Sequence, residues 1–236
     1  MEHSIKNKVA LITGASKGIG FGIAEALLKQ GVKVAITSRS QASADEAAKK
    51  LGADVLAITA DVKDFESQQK AVEQVIAKFG ALDFLIANAG VGHFAPIDEL
   101  DPKLWLDTID TNLTGVFYSV KAAIPALKKS QGYIITISSL AGTNFFATAA
   151  AYNASKFGLT GFSQAIMLDL RKYGIKVTTI MPGSVATEFA DQQTNATEDA
   201  WKIQPEDIGQ MVSDLLNMNP RTLPSKIEVR PTKTSN

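Results

Sequence analysis

The strongest constraint on this chain is a rhythm. Short β-branched apolar runs recur along it: KVALIT (8–13), KVAITS (33–38), DVLAITA (54–60), LDFLIAN (82–88), YIITIS (133–138) and KVTTIM (176–181), with KIEVR (226–230) as a seventh candidate. The runs are nearly continuous in apolar residues, without the alternation of a strand that has one wet face, so both faces have to be covered. Between them lie stretches with helical spacing, 18–30, 41–51, 64–79, 101–129, 151–173 and 205–217. Several of these open on Asp or Ser and close on Gly31, Gly52, Gly80 or Gly174. Strand and helix alternating in this way predict an α/β fold, a doubly wound parallel sheet of about seven strands with helices on both faces. At 236 residues and 45% hydrophobic content the chain fills one such domain, with no repeat and no low-complexity segment. The polar stretch 183–204 is long for a compact domain and reads either as an active-site lid or as a surface excursion with a short helix.

Composition removes several classes of function. Lys and Arg number 24, as do Asp and Glu, so no bulk field is available to hold nucleic acid or an anionic membrane. There is no cysteine, hence no thiol nucleophile, thiolate metal site or disulfide, which suits a reducing compartment. The two histidines, His3 and His93, are too few for a histidine metal centre and leave no evident Ser-His-Asp arrangement. The opening MEHSIKNK lacks an apolar core, and no later run is long enough to span a bilayer. A soluble, cytoplasmic protein acting on small molecules is expected.

Thr13-Gly14-Ala15-Ser16-Lys17-Gly18-Ile19-Gly20 follows the first run and opens the helical stretch FGIAEALLKQ. Glycines there let the backbone approach a pyrophosphate, and the helix N-terminus offers N–H groups and the positive end of its dipole. The spacing is G-x-x-x-G-x-G rather than the more general G-x-G-x-x-G. At the end of the second run, VAITSRS puts Ser38 and Arg39 where an acid would accept from both ribose hydroxyls and repel a 2′-phosphate. Ser38 does not repel, Arg39 offers a planar set of donors, and Lys17 adds a second charge from the glycine turn. Asp45 and Glu46 come too late, inside the following helix. The cofactor expected is NADP(H); the plainer alternative is that Arg39 and Lys17 are solvated surface cations.

Taken with further motifs in order, the chain resembles the short-chain dehydrogenase/reductase family over nearly its whole length. The motifs are TGASKGIG (13–20), Asp61-Val62, Asn88-Ala89-Gly90, Asn112 in DTNLTG, Ser139 in ISSLAG, Tyr152-Asn153-Ala154-Ser155-Lys156 and Pro182-Gly183. The resemblance implies a Rossmann-type fold and reversible hydride transfer between a nicotinamide and a carbonyl or secondary alcohol, without a metal. It implies that Ser139 holds the substrate oxygen, that Tyr152 donates the proton, and that Asn112 supports a proton-relay water. Lys156 would lower the tyrosine pKa and contact the nicotinamide ribose beside Tyr152. Tyr152 and Lys156, four apart on a helical stretch, share a face, which places a cation to favour the phenolate of a group that ordinarily titrates near ~10. From the residues alone Ser138 competes with Ser139, Asn112 could be a buried polar helix residue, and Asp61 could cap the next helix. The family frames the adenine with Asp61 and Val62, lines the cleft with Asn88, Ala89 and Gly90, and closes over the carboxamide with Pro182, Gly183, Val185 and Thr187.

Within the family the chain looks most like the 3-oxoacyl-[acyl-carrier-protein] reductases, so a ketone or a 3-oxoacyl thioester is the expected substrate. Lys128, Lys129, Arg171 and Lys172 either dock an acidic carrier protein or simply offset helix dipoles. The ending NPRTLPSKIEVRPTKTSN departs from the glycine-rich finish of that group. His93, Phe94, Leu140 and Asn144-Phe145-Phe146 are pocket walls or core. The apolar faces of 101–129 and 151–173 are those the family pairs, which predicts a homodimer or homotetramer. A non-catalytic NADP(H) sensor is the main rival, and the presence of Ser139, Tyr152 and Lys156 together argues against it. A methyltransferase reading leaves YNASK without a role and prefers an acid after the second strand.

Overall fold

A computed structural model of the chain describes residues 4–52, 54–191, 194–195 and 197–234. His3 lies outside them, as do residues 192, 193 and 196 of the expected lid. Seven strands form one parallel sheet: β1 (Val9–Ile12), β2 (Lys33–Ser38), β3 (Leu56–Thr59), β4 (Phe84–Ala87), β5 (Tyr133–Ile137), β6 (Lys176–Pro182) and β7 (Lys226–Val229). Their order is β3-β2-β1-β4-β5-β6-β7. Helices α1 (Gly18–Lys29), α2 (Gln41–Leu51), α3 (Phe65–Phe79), α4 (Pro102–Ile109), α5 (Gly115–Ser130), α6 (Ala150–Leu170) and α7 (Pro205–Asn217) connect and cover it.

The unbroken hydrophobicity of the strands follows from this layering. In β1, Ala10 and Ile12 join one core with Ile23 and Leu27 of α1 and Ile208 and Val212 of α7. Val9 and Leu11 face the other core, with Val72 and Val75 of α3, Val120 of α5 and Leu159 of α6. Successive strand residues point to opposite faces, and here both faces are dry.

The helices start where short polar side chains can accept from the first free amides. Ser40 accepts from Ser43 N at 3.4 Å to open α2, Asp64 from Glu66 N at 3.0 Å to open α3, and Asp101 from Lys103 N at 2.8 Å to open α4. The expected helix 101–129 is not uniform, because between α4 and α5 the residues Asp110–Thr114 form a π-helical turn. The stretch expected to be helical to 173 changes to a 3₁₀ turn at Arg171–Tyr173. The excursion after β6 is tied at its base, Ala186 N donating to Ile203 O at 2.8 Å and Ile203 N to Ser184 O at 3.1 Å, and it carries a 3₁₀ turn at Phe189–Asp191. No described helix is long and apolar enough to cross a membrane.

Helices α1 and α7 touch backbone to backbone. A Cβ at Gly209 would stand 2.4 Å from the Gly22 carbonyl oxygen, and one at Gly22 would stand 2.6 Å from that of Pro205. Neither neighbour is the end of a flexible side chain, so the helices would have to part. Gly209→Ala is therefore expected to cost ~1–3 kcal/mol and to lower Tm by roughly 2–10 °C in a thermal melt. Gly161→Ala, where a Cβ on α6 meets nothing within 4 Å, should leave Tm unchanged or raise it. Equal melting of Gly209→Ala and the unaltered protein would contradict the contact.

Candidate active site

The chain winds outward from β1 to β2 and β3, then returns to place β4 on the other side of β1. Loops leaving the C-terminal ends of β1 and β4 consequently diverge, and a crevice opens between them. It is a cleft of about 780 Å³ lined from the glycine turn to the β6 end. Of the residues singled out in the sequence for catalysis or cofactor contact, all line the cleft except Gly20 and Asn112. Gly20 lies inside α1, where a Cβ would stand 2.5 Å from Asn88 Nδ2 and 2.9 Å from Ala15 Cα, so its smallness serves the packing of the helix against the turn.

The glycine turn is held from below by polar residues of neighbouring strand ends. Thr13 Oγ1 accepts from Asn88 N at 3.0 Å and Ala89 N at 3.1 Å, while Asn88 Nδ2 donates to Thr13 O and Gly14 O at 2.9 and 3.0 Å. Gly14 and Gly18 have φ of 62° and 60°, left-handed values that favour glycine, and a Cβ on Gly14 would stand 2.8 Å from Ala89 Cα. No side chain caps α1, whose N-cap is Lys17, so its first amides are left to the cleft. This backbone cradle fits a phosphate-bearing nucleotide.

At the far end stand Ser38, Arg39, Asp61 and Val62. Arg39 is exposed, and no hydrogen bond or ion pair engages it among the described residues. Lys17, expected as its companion, is instead drawn across the cleft: its Nζ lies 2.9 Å from Glu188 Oε2, in the segment after β6. A carboxylate within reach satisfies the ammonium, and Glu188 was not among the residues foreseen. Asp61 does not cap α3. Its Oδ1 accepts from Lys63 N at 2.9 Å, and the cap is Asp64. Val62 lies against Gly115, where a Cβ would stand 2.8 Å from Val62 Cγ2. Beside them Asp107 Oδ1 takes Lys63 Nζ at 2.8 Å and its Oδ2 meets His93 Nε2 at 3.0 Å. The Lys63 hydrogen bond foremost, aided by His93, holds the Asp107 carboxyl below its ordinary range.

Helix α6 brings Tyr152 and Lys156 one turn apart onto the cleft wall, 9% and 4% exposed. Lys156 Nζ donates to Ile137 O at 3.0 Å, at the end of β5, and stands 5.6 Å from the Tyr152 ring centroid. Burial lowers its pKa from 10.5 to about 8. The phenol moves the other way: burial pushes Tyr152 above its ordinary value, with a hydrogen bond from Ser139 opposing. The expected lowering of the tyrosine by the lysine is thus not the dominant effect here, because the ammonium is spent on a backbone carbonyl while the phenol is desolvated. Ser139 also accepts from Ala141 N at 3.1 Å. Ser138 hydrogen-bonds Thr160 Oγ1 at 3.1 Å and Lys156 O at 3.3 Å, a packing role that separates the two serines.

Asn112 is fully buried behind the wall, in the π-helical turn. Its amide clamps Val91, accepting from Val91 N and donating to Val91 O, both at 2.8 Å, and donates to Ser155 Oγ at 3.0 Å. The side chain fixes the strand-four loop; single turns of this kind recur at functional sites. Around the Tyr152 ring stand Phe94 and Phe189, with ring centroids 5.5 and 5.6 Å away. Phe189, from the excursion, carried no signal in the sequence. A neutral phenol joined to a hydroxyl, with a cation at its back, can hold an oxygen of a ligand and pass it a proton.

The short chain dehydrogenase family model matches residues 8–198. An uncharacterized oxidoreductase of Staphylococcus saprophyticus is 35% identical over 233 residues, covering 96% of this chain and 98% of the relative. Among solved structures, an alcohol dehydrogenase from the archaeon Thermococcus sibiricus complexed with 5-hydroxy-NADP superposes with a TM-score of 0.88 at 27% identity, over 97% of this chain and 98% of that one. A 3-ketoacyl-(acyl-carrier-protein) reductase from Brucella melitensis complexed with NADH gives 0.88 at 27%, over 97% and 99%. A cleft at the switch point of a seven-stranded parallel sheet, with a tyrosine and a lysine one turn apart on its wall, is therefore found in a chain that belongs to the short-chain dehydrogenase family of oxidoreductases.

Proposed function

We propose that this protein is an NADP(H)-dependent reductase of carbonyl compounds, interconverting a ketone or 3-oxoacyl thioester and the secondary alcohol. The reading rests on the placement of Ser139, Tyr152 and Lys156 together on the cleft wall, with the Lys156 ammonium 5.6 Å from the Tyr152 ring centroid. A nicotinamide nucleotide would rest on the Gly14–Gly20 turn, Asp61 and Val62, Asn88–Gly90 and the Pro182–Thr187 segment, and when bound it supplies the hydride. Ser139 holds the carbonyl oxygen and Tyr152 gives it a proton. Lys156, cationic below about pH 8, stabilises the phenolate left behind. Asn112 acts by position, keeping Val91 and the Asn88–Gly90 turn in place.

Residues 183–204 are proposed as a lid hinged on the Ser184–Ile203 pairing, in a protein at home in a reducing cytoplasm. The exposed Leu106, Phe117 and Leu168 of α4, α5 and α6 suit pairing between copies. Lys128 and Lys172 lie 3.7 and 5.2 Å from the Tyr173 ring centroid, an arrangement that accounts for them without a docked carrier.

The choice of NADP(H) rests on the absence of an acid at Ser38 and on the free guanidinium of Arg39. Solved relatives were found with either form of cofactor. Lys17 contributes only if it leaves Glu188, so Glu188 opposes the 2′-phosphate.

Tyr152→Phe is expected to slow reduction by ~10²–10⁴-fold while NADPH binding, followed by fluorescence, stays nearly unchanged. Turnover within about tenfold of the unaltered enzyme would remove Tyr152 from the chemistry, and NADPH binding without turnover of any carbonyl would favour a sensor. In steady-state kinetics Arg39→Ala should raise KM for NADPH by ~10-fold or more, the scale of a hydrogen bond to a charged group, with little change for NADH. Glu188→Gln should lower it. Equal changes for both nucleotides would refute the contact.

A further inference from the structure

Aromatic rings gather around Tyr152: Phe189 lines the cleft, and Phe94 and Phe146 stand next to it, outside its lining. Phe94 meets the Tyr152 ring edge-on, 5.5 Å between centroids at 61°, and Phe146 lies 6.2 Å beyond it. Phe189 approaches from the opposite segment at 5.6 Å. Gly92 makes this possible: a Cβ there would stand 2.6 Å from Phe189 Cε1 and 3.0 Å from Phe94 Cε2.

The rings are held in place rather than draped. Ala95 N donates to Thr148 O at 2.8 Å, tying the loop of Phe94 to that of Phe146. Thr148 is held at a φ of 64°, rare for a β-branched residue and the kind of strain that gathers at ligand sites. Asn153, the residue after the tyrosine, donates to Ala141 O and Asn144 O, both at 2.7 Å, and so fixes the segment that carries Phe146.

Phe94 and Phe146 nevertheless stay 43% and 50% exposed. Rings that the fold goes to such lengths to position, yet leaves half open beside the phenol, offer faces and edges to a flat apolar ligand. The segment LAGTNFFATA (140–149) carries no charge, and the charged neighbours of the other two rings are paired, His93 with Asp107 at 3.0 Å and Glu188 with Lys17 at 2.9 Å. The cleft cations lie elsewhere or are engaged: Arg39 at the adenosine end, Lys17 on Glu188, Lys202 on Asp199 at 2.6 Å, and Lys156 on Ile137 O.

We infer that the carbonyl substrate is an uncharged aryl ketone, its ring seated among Phe94, Phe146 and Phe189 and its oxygen at Ser139 and Tyr152. The inference rests on the reductase reading above and names its substrate class. Aryl contact with Phe94 should add selectivity between ketones.

The test compares kcat/KM for acetophenone, 2-butanone and the N-acetylcysteamine thioester of acetoacetate, with NADPH, in the unaltered enzyme, Phe94→Ala and Phe94→Tyr. The expected result is a preference for acetophenone over the thioester of about tenfold or more, of the size one apolar pocket contact supplies. Phe94→Ala should lose about tenfold more on acetophenone than on 2-butanone. Phe94→Tyr, which keeps the ring, should retain the preference. A preferred thioester, or equal losses on both ketones, overturns the aryl assignment and leaves the reductase intact. Absence of turnover on all three overturns both.

Discussion

Lys156 is a cation set behind the cleft wall with one backbone carbonyl, Ile137 O at 3.0 Å, to receive its ammonium. No carboxylate pairs with it among the described residues, and burial brings its pKa down to about 8. An unfolded chain would hold that proton up to the ordinary 10.5, so from about pH 8 to 10.5 the unfolded state binds more protons and folding gains stability as pH rises. At neutral pH the buried charge costs on the order of 3 kcal/mol. The same burial places the positive charge 5.6 Å from the Tyr152 ring and keeps the phenol itself neutral. In the proposed reaction the pair serves as acid and counter-charge, and nearby contacts hold it: Ser139 on the phenol, Thr160 and Ser138 on the α6 backbone, Asn112 on Ser155.

The sheet supplies the rest by geometry. Reversal of winding between β1 and β4 opens one crevice, and each strand end delivers a different property to it. The β1 turn presents bare amides, β2 presents a guanidinium, β4 presents close backbone, and β5 with α6 presents the proton-handling groups. The segment after β6 bridges both ends, because adjacent residues Glu188 and Phe189 reach Lys17 and the Tyr152 ring respectively. The proposed phosphate end and the proposed substrate end therefore share one short strap.

The strands, the glycine turn and the Tyr152–Lys156 face were readable from the sequence because each rests on local period and spacing. Strand hydrophobicity reports burial on both faces, and a four-residue interval in a helix fixes a shared side. What escaped was set by distant approach. The π-helical turn at Asp110–Thr114 leaves the apolar pattern of 101–129 unbroken, so nothing in the spacing marked it. The Lys17–Glu188 pair joins residues 171 apart in sequence. Asp61 and Asp64 are equivalent cap candidates until the start of α3 is seen. The direction of the Tyr152 shift depended on how dry the phenol became, which spacing does not encode, and Phe189 is one of two aromatic residues in a polar stretch whose composition does not mark it as a neighbour of Tyr152.

In the proposed reaction the carbonyl carbon at the Ser139–Tyr152–Lys156 wall receives its hydrogen from a nicotinamide. Supplying NADPH deuterated at the transferable position, with a ketone, and reading the alcohol by mass spectrometry tests it directly. One deuterium is expected on the carbinol carbon and none on the oxygen after exchange with water. An alcohol without that deuterium, or consumption of the nucleotide with no alcohol formed, would contradict it.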